Sequence, residues 1–183
     1  MYKKILVVVN DSAASEAAIR QGIEIARVHR AALMLFHVLP KGEIFGLDVP
    51  GSLGVSSQDF DQRASEKASQ TLAMASALAE YEGVHSFRAM SHAEDEAKCV
   101  SEAASVHHCD LIVVGTEGQN ALVRLLTGSI VPRLITVATV PVLVCKESDA
   151  TPKQRHRSKV AIRAQSKHAR ESGNFQGQGN SQS

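Results

Sequence analysis

Hydrophobic positions along the chain fall into short continuous runs and longer periodic segments, and the two alternate. Ile5 to Val9 is an unbroken aliphatic run rich in β-branched residues, the pattern of a strand buried on both faces. Ala32 to Leu39 is a second such run, stopped by Pro40, Leu111 to Val114 a third, and Val140 to Cys145 a fourth. His85 to Ala89 is a weaker strand signal between them. Residues 13–29 instead carry Ala18, Ile19, Gly22, Ile23, Ile25 and Ala26 at helical spacing, with Ser12 placed to cap and Glu16 in the first turns, where the helix end favours negative charge. Asp59 to Glu80 reads as an alanine-rich helix ended by Gly83. Glu94 to His107 reads as a helix with Ala97, Val100, Ala103 and Ala104 on one face, and Ser129 to Val137 as a last helix.

The order is therefore β-α-β-α-β-α-β-α-β. Strands joined by crossover helices run parallel and with right-handed connections, which makes a doubly wound α/β sheet with helices on both faces. Residues 40–57 hold four glycines and a second proline and form a long loop of the functional kind. No internal repeat appears at solenoid periods.

Charge divides the 183 residues unevenly. The formal total is +1, yet residues 149–183 hold seven basic side chains (Lys153, Arg155, Arg157, Lys159, Arg163, Lys167, Arg170) against Asp149 and Glu171. The remainder is correspondingly acidic, and the chain ends in Gly, Asn, Gln and Ser with little to bury. This places a domain at 1–147 and a basic, disordered tail at 148–183. No apolar run approaches the ~18 residues of a membrane span. Three cysteines are too few for a disulfide framework, which fits a reducing cytoplasm. Aromatic residues are 4% of the chain and tryptophan is absent, so a base-stacking surface for nucleic acid is hard to build.

In such a sheet a ligand sits beyond the carboxyl ends of the strands where the strand order reverses. Two loops qualify: Asn10-Asp11-Ser12 after the first strand, and Gly115 to Ser129 after the fourth. The second holds Gly115, Gly118 and Gly128 just before a helix start, the arrangement that lets backbone N–H groups close on a phosphate. It is neither a Walker A loop nor a G-x-G-x-x-G fingerprint. On the residues alone, the same glycines read equally well as turn glycines.

Gly115-Thr116-Glu117-Gly118, nine residues, then Gly128-Ser129 matches G-x2-G-x9-G-[ST] and resembles the nucleotide loop of the universal stress protein family, on its ATP-binding branch. Lys4 to Ser12 is similar to that family's first strand and turn, and Asp110 to Gly115 and Val140 to Val144 to its fourth and fifth strands. The resemblance spans residues 1–147. It implies a five-stranded sheet in the order 3-2-1-4-5, and an adenine nucleotide in the crevice: ATP with Mg²⁺, or ADP or AMP. Gly115, Thr116, Gly118, Gly128, Ser129, Ile130 and Val131 would then lie along the phosphates and ribose. Val38 would lie near the adenine, and Val9, Asn10, Asp11 and Ser12 beside base or ribose, with Val9 and Val38 as aliphatic walls. The chain departs from the usual pattern at Asn10 and Asp11, where the family has Asp and Gly, and carries Glu117 within the loop with Arg124 to offset it. Asn keeps an acceptor oxygen and adds donors.

No catalytic group stands out. His107-His108-Cys109 lacks metal-site spacing and reads as a helix end. His37 reads as a satisfied core histidine, and Cys99 and Cys145 as packing residues. The last strand, Val140 to Cys145, is an apolar sheet edge and a pairing template, and the resemblance implies a two-fold homodimer through it. The basic tail reads as a solvated extension without a specific nucleic-acid site. The function expected is a nucleotide-binding regulatory protein of stress response; a weak ATPase and a nucleotide-free interaction module are the alternatives.

Overall fold

The computed structural model describes residues 1–40, 57–116 and 130–146. The expected domain boundary near Glu147, the tail and most of the 40–57 loop lie outside the described residues, as do Gly118, Gly128 and Ser129. The elements are β1 (Lys4–Val8), α1 (Ala13–His29), β2 (Ala32–Pro40), α2 (Ser57–Tyr81), β3 (Ser86–Ala93), α3 (Glu96–Val106), β4 (Leu111–Thr116), α4 (Ile130–Val137) and β5 (Val142–Lys146). They form a five-stranded sheet in the order β3-β2-β1-β4-β5 with every neighbouring pair parallel. No helix among the described residues is long and apolar enough to cross a membrane.

Period-two alternation divides the strand side chains between two cores. Ile5, Val7, Val9, Leu33, Leu35, Leu111 and Val113 pack with α1 and α2. Leu6, Val8, Met34, Phe36, Ile112 and Val114 pack with α3 and α4. The middles of the central strands, residues 5–8, 33–36 and 111–114, are apolar at every position because both their faces are covered. Leu134 is the one fully buried residue of α4 and anchors that short helix to the sheet.

Local signals explain most boundaries. The hydroxyl of Ser12 accepts from Ser15 N–H and caps α1. Gly83 adopts φ +72° after α2, and the Gly83 and Val84 N–H groups close on the Glu80 and Ala79 carbonyls. Asp95 caps α3 by accepting from Lys98 N–H at 3.2 Å, so that helix starts two residues later than its apolar pattern predicts. Two strands shift. β3 runs four residues past its predicted end, because pairing with β2 continues to Ala93↔Pro40 whatever side chains β3 carries. β5 starts at Val142 instead of Val140, after a Pro141 carbonyl that accepts from Ile112 N–H.

Candidate functional site

The strand order reverses between β1 and β4: β1 leads to β2 on one side, and β3 crosses back to β4 on the other. A crevice beyond the carboxyl ends of these two strands is where this architecture places a ligand. Its two sides are built differently.

On the α1/α2 side the strand ends are tied shut. The Val9 N–H donates to the Phe36 carbonyl at 2.8 Å, and the Val9 carbonyl lies 2.7 Å from His37 Nδ1. The Asn10 N–H donates to Ser15 Oγ at 2.9 Å, and the Asn10 side-chain oxygen accepts from Ser12 N–H at 3.0 Å, an Asx turn leading into α1. Ser15 is buried, so both its polar groups need these partners, and both have them. Asp11 forms an ion pair with Lys67 of α2. The hydrogen bond from the Lys67 ammonium holds the Asp11 carboxyl below its usual range. His37, half-buried, is pushed down by burial, against the contrary pull of the Val9 carbonyl and Asp11. Burial disfavours its charged form, and one ring nitrogen is satisfied by the Val9 carbonyl, as the reading of a satisfied core histidine expects.

Gly115 belongs to the same closure. A Cβ built on it would stand 2.2 Å from the Ala14 carbonyl oxygen and 2.8 Å from the Ser15 nitrogen. The first turn of α1 rests on the backbone of β4, and only glycine allows that approach. The requirement holds with or without a ligand: inside β4, Gly115 is a close-approach glycine.

On the α3/α4 side the strand ends are open among the described residues. Val38 packs half-buried at the margin of that core. Alternation along β4 (Ile112 and Val114 on this face, Gly115 against α1) places Thr116 on the same side. The Thr116 hydroxyl and the two amide N–H donors of Asn10 meet no partner among the described residues. Ile130 and Val131, at the start of α4, pack against this core as an apolar floor. Arg133 in the same first turn donates to Asp95 at 2.6 Å and ties α4 to the start of α3. Glu96, beside Asp95, has its carboxyl pushed up by burial.

One expectation needs correcting. Val9 and Val38 do not form two walls of one pocket: the Val9 side chain is buried with α1 and α2, while Val38 faces α3 and α4. Val9 reaches the crevice only through its backbone, already paired on both sides. One residue escapes sequence reasoning. The extension of β3 sets Ser91 beside Val38 in register, and Phe87 and Ala89, four and two residues earlier, fix its face as the α3/α4 one. The alternation that could have shown it is broken, because Met90 between Ala89 and Ser91 is itself apolar. The thiols serve packing: Cys99 lies in the α3/α4 core and Cys145 against the other, and Cys109 is buried 3.9 Å from Met34 sulfur with its pKa pushed up to about 11.

Comparison with known proteins follows the same outline. The model of the universal stress protein family matches residues 1–146. A universal stress protein of Methanocaldococcus jannaschii is 32% identical over 147 residues, covering 80% of this chain and 84% of its own. Among solved structures, a universal stress protein from Archaeoglobus fulgidus in complex with dAMP aligns with TM-score 0.57 at 22% identity, over 79% of this chain and 98% of that one. A family member from Arabidopsis thaliana with AMP bound aligns with TM-score 0.60 at 18% identity, over 80% and 93%. The fold, the order of its strands and the family match over four-fifths of its length agree: the chain belongs to the universal stress protein family.

Proposed function

We propose that the chain binds an adenine nucleotide on the open side of the crevice and acts as a regulatory homodimer in the stress response of the cytoplasm. The observation that carries this reading is the asymmetry of the strand ends. Asn10 spends its backbone N–H and side-chain oxygen on the closed side, and its amide donors have no partner among the described residues. An apolar contact, a donor and a hydroxyl over neighbouring strands match a base, a ribose and a phosphate. The replacement of the family's Asp by Asn10 fits the same division, because the oxygen that both residues carry is the one the turn uses. AMP and dAMP in the related structures support an adenine nucleotide; ATP with Mg²⁺ is the form proposed for the living cell, the ion held chiefly by phosphate oxygens and water.

Regulation is favoured over turnover by Asp11. Paired with Lys67 and held at a lowered pKa, this carboxylate is a poor general base for activating water. Dimerisation is favoured by β5, which ends the sheet with Val142, Leu143, Val144 and Cys145 all half-buried, an apolar edge suited to pairing with a second copy.

Protein purified without added nucleotide and then denatured is expected to release an adenine nucleotide, and calorimetry to show sub-millimolar binding of at least one of ATP, ADP and AMP. No released nucleotide and no binding at millimolar concentration overturns the reading in favour of a nucleotide-free module. Val142→Asp is expected to convert a dimer to a monomer on sizing columns; an unchanged dimer refutes the β5 interface.

A further inference from the structure

We propose that Ser91 hydrogen-bonds the six-membered-ring edge of the bound base and determines how strongly the site prefers a 6-amino purine. The inference rests on the nucleotide reading above. On the open face the strand ends form a row, β4, β1, β2, β3, presenting Thr116, Asn10, Val38 and Ser91 in turn. Neighbouring strands are about 4.8 Å apart, so the row spans about 14 Å, the reach of an extended mononucleotide with a hydrogen bond at its far end.

The chemistry along the row has a direction. The β4 end leads towards the start of α4, where helix N–H groups favour an anion. Asn10 follows with donors, and Val38 offers an apolar surface for a ring face. A base lying on Val38 turns its outer edge towards β3. That edge carries a ring nitrogen and the 6-amino group, and both lose water as the base docks, at a cost if they stay unpaired. Val38, Ala89 and Ala93 around this position have no polar side-chain atom. Ser91 has one, half-buried and without a partner among the described residues. A hydroxyl accepts from the 6-amino group or donates to the ring nitrogen.

The test compares AMP with purine riboside 5′-monophosphate, the same ligand lacking the 6-amino group, by calorimetry on the full chain. Wild type is expected to bind AMP about fivefold more tightly, the worth of one neutral hydrogen bond. Ser91→Ala is expected to remove most of that preference, and Ser91→Thr, which keeps the hydroxyl, to retain it. A general loss of fold or affinity weakens both ligands alike and leaves the ratio unmoved. A preference that survives Ser91→Ala, or a wild type that binds both ligands equally, overturns the role of Ser91. A wild type that binds neither overturns the nucleotide reading itself.

Discussion

The two faces of the sheet end differently at the same edge of the molecule. Towards α1 and α2, the tips of β1, β2 and β4 are closed by protein: Gly115 against Ala14, Asn10 on Ser15, His37 on the Val9 carbonyl, Lys67 on Asp11. Towards α3 and α4, the tips of β2, β4 and β3 present Val38, Thr116 and Ser91, all half-buried, and the hydroxyls of the last two have no partner among the described residues. A loop residue between the two, such as Asn10, is only partly used: the oxygen of its amide builds the turn, and the nitrogen has no partner among the described residues. Clustering of polar residues at the strand ends therefore does not by itself mark a site. What marks it is which of those groups the fold has left unused.

This contrast is open to direct attack, starting where the effect is greatest. Gly115→Ala drives a methyl group into the Ala14 backbone and is expected to cost about 3 kcal/mol or more, read as a lowered urea midpoint with or without nucleotide. Unchanged stability with lost binding would move Gly115 from the closed side to the ligand. Ser15→Ala strips the buried partner of the Asn10 N–H and is expected to cost about 1–3 kcal/mol in the same assay.

A smaller effect follows from His37. Its pKa is lowered in the fold, so the unfolded chain takes up the proton first as pH falls. Stability from this group is therefore whole above the ordinary histidine range and declines as pH drops from there towards the folded value. His37→Gln is expected to flatten the fall of melting temperature between pH 7 and about pH 5; an unaltered slope would show that His37 is not held neutral. Thr116→Val closes the series. It removes a hydroxyl from the open face and is expected to leave stability within about 0.5 kcal/mol while weakening nucleotide binding several-fold. A large loss of stability instead would mean that the open face is a structural one.

Much of this was legible in the residues. The runs Ile5 to Val9, Ala32 to Leu39 and Leu111 to Val114 are apolar at every position but His37 because central parallel strands are buried on both sides, and that burial leaves a signature needing no knowledge of neighbours. Ser12 acts through a hydroxyl three residues from its donor and Gly83 through its own backbone, both local effects, so their cap and terminator roles were equally plain. β3 was half hidden. Its outer four residues, Met90 to Ala93, are held by the backbone ladder to β2, and hydrogen bonds between main chains are indifferent to side-chain character.

The sequence by itself determined the order of elements, the parallel sheet, the caps and the position of the loops that meet at the switch point. All of these follow from local periodicity and from the chirality of the chain. Only the tertiary structure decided that Val9 and Val38 stand on opposite faces, that Gly115 answers to Ala14, that Asp11 is paired with Lys67, and that Ser91 lies beside Val38. Each is a relation between residues far apart in sequence. Such relations depend on register and on the distance between a helix and a strand, neither of which a local pattern encodes.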